Sequence, residues 1–177
     1  MRARDQVPMA PGPGLAVQEI SNVESITIRP ARAGDATFIR HLYHDVEANG
    51  APAWRNDDNS PYTDQWIDHV IANNPVDQAL LVAITSEGEP LGYVWVLSLL
   101  DFDTVVPRGH IAGVGVSQAA RGKGVGGVLV AAAEAWCIEL GLPEVSLHCY
   151  LGNTGAYRLY QRLGYQDEWI RMRKALA

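Results

Sequence analysis

The sequence predicts a single mixed α/β domain in which strands and helices alternate along the chain. Its 177 residues are enough for one core, and 47% hydrophobic and 19% charged residues are typical of a soluble globular protein. From Ser25 onward, runs of period two alternate with stripes of period 3.6, which are the patterns of strands and of amphipathic helices. We therefore expect one domain over residues 24–177, preceded by a disordered, Pro- and Gly-rich tail over residues 1–23.

The first half of the domain reads as a strand, two helices and a hairpin. Alternation over residues 26–29 predicts the strand, and Asp35 stands at the cap position of the helix that follows. A loop rich in Pro, Asn and Asp separates this helix from a second, short helix that ends at Asn73–Pro75. Two hydrophobic runs, 79–85 and 91–100, flank a polar turn and predict an antiparallel hairpin.

The second half alternates strands and helices. A fourth strand is predicted over residues 111–116, a long apolar helix over 124–140 and a fifth strand over 145–150. Apolar residues at i, i+3, i+4 and i+7 predict a last helix, and a closing strand is predicted over 165–172. The helical stripe consists of Ala156, Leu159, Tyr160 and Leu163. The resulting order is β-α-α-β-β-β-α-β-α-β.

Charge and composition exclude several classes of function. The net charge of −6 argues against nucleic-acid binding, which needs clustered Lys and Arg, and mildly favours a cationic small molecule. The apolar run 91–100 is about half of a membrane span, so no membrane helix is expected. The two cysteines, Cys137 and Cys149, fit reduced thiols of a cytoplasmic protein. An HxxH pair, His41 and His44, has no second ligand cluster, so no metal is expected.

A glycine-dense turn between a strand and a helix is the most informative segment. Residues 117–127 read Ser-Gln-Ala-Ala-Arg-Gly-Lys-Gly-Val-Gly-Gly, and the first N–H groups of a helix bind anions because they lack partners within the helix. A P-loop is excluded, because Ser117 and Gly124 stand where that motif needs Gly and Ser or Thr. A dinucleotide fingerprint is formally matched, but five residues separate it from its strand and no acidic residue ends the next strand.

Two segments resemble the signatures of the GNAT superfamily of N-acetyltransferases. Residues 121–126 read Arg-x-x-Gly-x-Gly after a Val-x-Val strand and are similar to its acetyl-CoA-binding motif. Residues 147–165 are similar to its second signature, with a strand, an Asn, an Ala three residues later, then Leu-Tyr and Leu-Gly-Tyr. The resemblance covers residues 26–170 in the correct order. It implies a mixed central sheet of about six to seven strands, helices on both faces, and a splayed cleft between the fourth and fifth strands.

The resemblance also implies a co-substrate, acetyl-CoA, and a reaction. The turn would hold the pyrophosphate, the fourth strand would pair with the pantetheine arm, Asn153 would bond the arm or nearby backbone, and Ala156 would leave room for it. A backbone N–H near Val116 would polarise the thioester, and Tyr160 would give a proton to the departing thiolate. The residues expected to bind acetyl-CoA are Val114, Gly115, Val116, Arg121, Gly122, Lys123, Gly124, Val125, Gly126, Gly127, Asn153, Ala156 and Tyr160.

The sequence specifies the amine acceptor less closely than it specifies acetyl-CoA. His110, just before the fourth strand, lies where the family often supplies a base and is the expected base. Acids and aromatics in two loops suit a cationic amine, either a small molecule or a peptide group. The expected acceptor residues are Trp54, Asp57, Asp58, Tyr62, Asp101 and Asp103. An acyl-CoA-binding sensor without transfer activity is the alternative function, and a homodimer stays open in both cases.

Overall fold

Helices and strands follow one another in the predicted order as far as the last helix. The computed structural model describes residues 26–48, 51–52, 61–101, 104–172 and 174, so the predicted tail over residues 1–23 lies outside them. None of the described helices is long and apolar enough to cross a membrane. The elements are β1 (Thr27–Pro30), α1 (Ala36–Ala48), α2 (Pro61–Asn73), β2 (Gln78–Ile84), β3 (Pro90–Leu100), β4 (Pro107–Val116), α3 (Val125–Glu139), β5 (Val145–Leu147) and α4 (Thr154–Arg162).

The strands form one mixed sheet in the order β1-β2-β3-β4-β5. Antiparallel pairings join the first four strands, and β5 joins β4 in parallel. The predicted hairpin is confirmed, with Leu80 opposite Trp95 near its centre. The mixed architecture agrees with the sequence prediction, whereas about six to seven strands is an overestimate, since the described part of the chain has five.

The closing strand predicted over residues 165–172 is wrong. The N–H of Tyr165 donates to the carbonyl of Tyr160 at 3.0 Å, and the residues that follow are not in a strand. The apolar side chains of this segment do not line one face of a strand. Three of these side chains are 65%, 82% and 88% exposed, namely Trp169, Ile170 and Met172.

Helices cover both faces of the sheet, as the resemblance implies. α3 packs on one face, where Leu129, Val130 and Ala133 are fully buried. α1 and α2 pack on the other face, where Ile39 and Ile67 are buried against side chains of β2 and β3. The sheet is therefore the middle layer of three, with α3 on one face and α1 and α2 on the other.

A β-bulge in β4 opens a cleft beside β5. The register of β3 against β4 shifts by one residue at Ala112, which has no partner in β3. In the described residues β5 pairs with β4 only over Gly109–Ile111, and it ends at Leu147 although the sequence predicts a strand as far as Tyr150. Residues 112–116 of β4 thus continue without a strand on their β5 side. The splay implied between the fourth and fifth strands is confirmed.

A buried ion pair holds β1 against the start of α1. Asp35, which is 7% exposed, accepts hydrogen bonds from Arg29 Nη1 at 2.6 Å and Nη2 at 2.9 Å. It also accepts from the backbone N–H of Arg32 at 2.7 Å. The hydrogen bond from Arg29 is the main reason why the pKa of Asp35 lies below its ordinary value. Asp35 therefore caps the turn before α1. The sequence instead predicts that it caps the first N–H groups of the helix itself.

Candidate active site

The glycine turn presents backbone to open space at the start of α3. Gly122 has φ 77° and Gly124 has φ 84°, a left-handed conformation that disfavours side chains. A Cβ built on either residue would meet no heavy atom within 4 Å. Val125, the first residue of α3, has its side chain buried in the core and can contribute only its N–H. The N–H of Gly127 is already bonded to the carbonyl of Gly124 at 3.0 Å.

Basic side chains flank this turn on its solvent side. Arg121 donates from Nε to the carbonyl of Val116 at 3.2 Å, which holds the guanidinium at the end of β4. Lys123 is exposed. Gly126 has a different role, because a Cβ there would lie 3.0 Å from Leu159 Cδ2 of α4. Its small size allows α3 and α4 to approach each other closely.

The backbone of β4 beyond the bulge faces the cleft. The N–H of Ser117 donates to Leu91 of β3 at 2.9 Å, so Ser117 points toward β3. Backbone polar groups alternate in direction along a strand, so those of Val114 and Val116 point toward the β5 side, where β5 is no longer paired. A Cβ built on Gly115 would point toward the layer of α1 and α2 and would collide with the ring of Tyr93. Gly115 is thus required by core packing.

The start of α4 is fixed by local hydrogen bonds. Asn153 is the N-cap of α4, and its side-chain oxygen accepts from the N–H of Ala156 at 3.2 Å. The backbone carbonyl of Asn153 accepts from the thiol of Cys149 at 3.7 Å. The side-chain oxygen of Asn153 therefore caps the start of α4, and the N–H of Ala156 is the donor in this cap.

Tyr160 is a partly buried phenol of α4. It packs against the core cluster that contains the buried residues of α3, and its ring meets that of Tyr165 edge-on at 5.8 Å between centroids. Burial, with a smaller contribution from Cys149, raises the pKa of Tyr160 to about 12. Burial also raises the pKa of Cys149. At neutral pH both groups therefore keep their protons.

Two histidines meet on the face of the sheet opposite α3. The ring centroids of His110 and His148 are 4.9 Å apart, and His148 contacts Trp169 edge-on at 5.6 Å. Nδ1 of His110 lies 2.9 Å from Oγ of Ser146. Burial, with a smaller contribution from His148, lowers the pKa of His110 to about 4. Burial, with a smaller contribution from Arg171, also lowers the pKa of His148.

Asp101 contacts Thr104 and Arg108. Its carboxylate accepts from Thr104 N at 2.8 Å and Thr104 Oγ1 at 2.6 Å, and it lies 3.6 Å from Arg108 Nε. Arg108 is also ion-paired with Glu144. These contacts close the loop between β3 and β4. Of the other expected acceptor residues, Trp54, Asp57, Asp58 and Asp103 lie outside the described residues, and Tyr62 lies in α2.

Sequence reasoning missed the grouping of Ser146, His148 and Trp169 with His110. The i, i+2 spacing of Ser146 and His148 predicts that they share a face of a strand, and this signal is available in the sequence. Their alignment with His110 depends on the β4–β5 register, where His110 lies opposite Ser146. In the described residues no group of three or more His, Cys, Asp or Glu side chains is placed to hold a metal ion.

Comparison with known families identifies the family of this chain. A family profile described as the GNAT family of acetyltransferases matches residues 40–165. The chain belongs to the GNAT family. This GNAT protein is 34% identical to YdgE, an uncharacterized N-acetyltransferase of Bacillus subtilis (strain 168), over 92 residues, which are 51% of this chain and 56% of that protein.

Two further relatives extend the comparison. This GNAT protein is 29% identical to a mycothiol acetyltransferase of Rhodococcus erythropolis (strain PR4) over 164 residues, 90% of this chain and 52% of that protein. It therefore spans about half the length of these two curated relatives. The solved structure of aminoglycoside N-acetyltransferase AAC(6')-Iy in complex with CoA has a TM-score of 0.66, with 89% of this chain and 100% of that chain covered at 19% identity. At 19% identity this similarity shows a shared fold.

Proposed function

We propose that this GNAT protein transfers an acetyl group from acetyl-CoA to an amine. The cleft in the sheet carries this proposal. Beyond the bulge at Ala112, the backbone polar groups of Val114 and Val116 face a gap that none of the described strands fills, directly before the glycine turn. The amide-rich pantetheine arm fits such a gap, because it can pair with strand backbone. The name of the mycothiol relative and the CoA bound to AAC(6')-Iy also support acetyl-CoA as the donor.

The turn is suited to the pyrophosphate end of the same molecule. Val125 and Gly126 are the first two residues of α3, so no carbonyl within the helix is placed to accept a hydrogen bond from their N–H groups. The positive end of the helix dipole adds roughly half a unit of charge there, and Arg121 and Lys123 add two formal charges. The left-handed Gly122 and Gly124 let an anion approach the backbone. The residues present therefore fit a CoA ligand.

Bound acetyl-CoA would supply the acetyl group as an activated thioester. The amine nitrogen bonds to the carbonyl carbon, the C–S bond breaks, the amine loses one proton and the thiolate gains one. A backbone N–H of β4 between the bulge and Val116 polarises the carbonyl oxygen. Since an extended arm starting at the turn runs back along β4, Val114 is the best placed donor.

Tyr160 assists the departing thiolate. Its pKa of about 12 keeps it protonated at every pH at which the protein would work. A thiol has an ordinary pKa of about 8.5, so complete proton transfer from Tyr160 would be uphill by about 5 kcal/mol. We therefore assign Tyr160 the donation of a hydrogen bond to the thiolate, which takes its proton finally from solvent.

His110 is a proton acceptor of limited strength. With a pKa of about 4 it is uncharged at neutral pH and can accept a hydrogen bond. Deprotonating a lysine-like ammonium of pKa about 10.4 would be uphill by about 9 kcal/mol for such a group. His110 therefore suits an amine that is already uncharged when it is bound, and it receives the proton that the nitrogen loses during attack.

The decisive experiment combines ligand binding with transfer. CoA should raise the melting temperature of the full-length protein and NAD should not, and labelled acetyl-CoA should acetylate members of an amine panel. CoA binding without acetylation of any amine would instead support the sensor alternative. A melting temperature that responds to NAD and not to CoA would contradict the assignment of the cleft.

Tyr160→Phe tests the role of this partly buried phenol. It should lower kcat by about 10²-fold, as expected for the loss of one hydrogen bond to developing negative charge, while leaving the affinity for CoA within about twofold. Tyr157→Phe is the matched control, since Tyr157 lies on the same helix with its hydroxyl bonded to Asp167 at 2.8 Å on the surface. Equal turnover of the two variants would remove Tyr160 from the mechanism.

A further inference from the structure

Tyr160 lies in the last turn of a short helix. α4 spans the nine residues Thr154–Arg162, and Tyr160 is the third residue from its end. The carbonyl groups in the last turn of a helix have no donor within the helix, and helix ends open easily when these groups are not satisfied in another way. The position of the phenol to which we assign the hydrogen bond to the thiolate therefore depends on how α4 ends.

α4 ends in a hydrogen-bonded turn that is centred on the carbonyl of Tyr160. This carbonyl accepts from the N–H groups of Leu163 and Tyr165, both at 3.0 Å, and the N–H of Gly164 donates to the carbonyl of Gln161 at 3.1 Å. The pattern is a Schellman motif, which needs a left-handed residue directly after the helix cap. Gly164 supplies it with φ 95°, and a Cβ built there would meet no heavy atom within 4 Å. Glycine is thus required at this position for its backbone conformation.

The same turn places the ring of Tyr165 against the ring of Tyr160. The two rings meet edge-on, with an interplanar angle of 61° and 5.8 Å between centroids, which is a favourable geometry for an aromatic pair. Both rings pack against the core cluster that contains the buried residues of α3. Burial is the main reason why the pKa of Tyr165 lies above its ordinary value, and the carboxylate of Glu134 on α3 adds to it. Tyr165 therefore connects the end of α4 with α3.

We propose that Gly164 and Tyr165 are positioning residues for acetyl transfer, because the left-handed turn and the ring contact together hold the hydroxyl of Tyr160 in place for the departing thiolate. The inference rests on the role proposed above for Tyr160. A displacement of about 1 Å can lower a rate by as much as 10²-fold. Because both residues act through Tyr160, their loss cannot lower kcat by more than the loss of the Tyr160 hydroxyl itself, which we expect to be about 10²-fold.

Gly164→Ala tests the backbone turn, and Gly88→Ala is its matched control. Gly88 has φ 90° and also has no heavy atom within 4 Å of a built Cβ, but it lies in the turn between β2 and β3. Both variants of the full-length protein should therefore show a similar fall in melting temperature. With acetyl-CoA and two probe amines, spermidine and alaninamide, only Gly164→Ala should lower kcat, by about tenfold, and it should leave the KM for acetyl-CoA within about twofold.

Two variants of Tyr165 test the ring contact. Tyr165→Leu removes the aromatic ring and should lower kcat by about tenfold, whereas Tyr165→Phe keeps the ring and should hold kcat within about twofold of the native value.

A double-mutant cycle separates positioning from a merely structural role. In a Tyr160→Phe background, neither Gly164→Ala nor Tyr165→Leu should lower kcat further, because the hydroxyl that they position is already absent. A structural role would instead give the same fold loss of kcat in both backgrounds. Gly164→Ala completes this cycle even where Tyr165→Leu does not fold.

The outcomes separate this inference from the function on which it rests. The same kcat in Gly164→Ala and Gly88→Ala, or an undiminished loss in the Tyr160→Phe background, overturns the positioning role and leaves acetyl transfer intact. A native kcat in Tyr160→Phe alone removes Tyr160 from the mechanism and refutes this inference with it. CoA binding without transfer to either probe amine refutes acetyl transfer, and this inference falls with it.

Discussion

Replacing Gly124 by Ala separates backbone strain from ligand contact. Gly124 has φ 84°, and placing a non-glycine residue in this left-handed region costs about 1–2 kcal/mol. For a domain of this size that cost corresponds to a fall of roughly 2–8 °C in melting temperature. The new Cβ would point into open space beside the first turn of α3, where we place the pyrophosphate of CoA. We therefore expect the Kd for CoA to increase by at least about tenfold, or about 1.4 kcal/mol.

Gly141→Ala supplies the control for this experiment. Gly141 has φ 68° and also has no heavy atom within 4 Å of a built Cβ, but it follows the other end of α3. The 15 residues of α3 put about 22 Å between the two sites. Thermal unfolding and calorimetric titration with CoA should show similar destabilisation of both variants and weaker CoA binding only for Gly124→Ala. Equal CoA affinity in the two variants would refute the placement of the pyrophosphate at this turn.

Further predictions concern stability. Asp35→Asn should reduce the free energy of unfolding by on the order of 3 kcal/mol at pH 7, because Arg29 loses its buried partner. The pKa of Asp35 is lowered in the folded protein, so this stabilisation is present above pH of about 4 and is lost below it, and denaturant titrations of the two proteins should converge in acid. Gly109→Ala should destabilise the fold by about 1–3 kcal/mol through collision with Cys137. Cys137→Ala in the same chain should relieve part of that loss, and strictly additive effects in the double variant would contradict the contact. Asp101→Ala should destabilise the loop between β3 and β4 and leave the acceptor KM within about twofold, because its carboxylate is bonded to Thr104; a large rise in that KM would instead make it an acceptor residue.

Local patterns in the sequence predict the elements around the cleft well. The helix predicted over residues 124–140 is observed at Val125–Glu139, since an apolar run after a glycine turn specifies a helix start without help from distant residues. The hairpin of β2 and β3 is likewise specified by two apolar runs and the turn between them. Tyr160 and Asn153 could be singled out because their motif lies within one contiguous segment.

Non-local pairing accounts for the errors. Residues 165–172 include Tyr165, Trp169 and Ile170, which are residue types common in strands, but residue type does not determine whether another strand is present to pair with. The same limit explains why β5 ends at Leu147, since its parallel partner β4 departs at the bulge. The contacts of Asp101 with Thr104 and Arg108 are visible only in the structure, and its role as an acceptor-binding residue stays a prediction.

The sequence by itself determined the family, the order of elements and the glycine turn, because each depends on residues that are near one another in the chain. The tertiary structure decided which backbone groups face the cleft and which side chains meet beside it. His110 and Ser146 are 36 residues apart and become partners only through the parallel register of β4 and β5. Register follows from packing across the whole sheet, so the contact between His110 and Ser146 is a property of the fold and of no single segment.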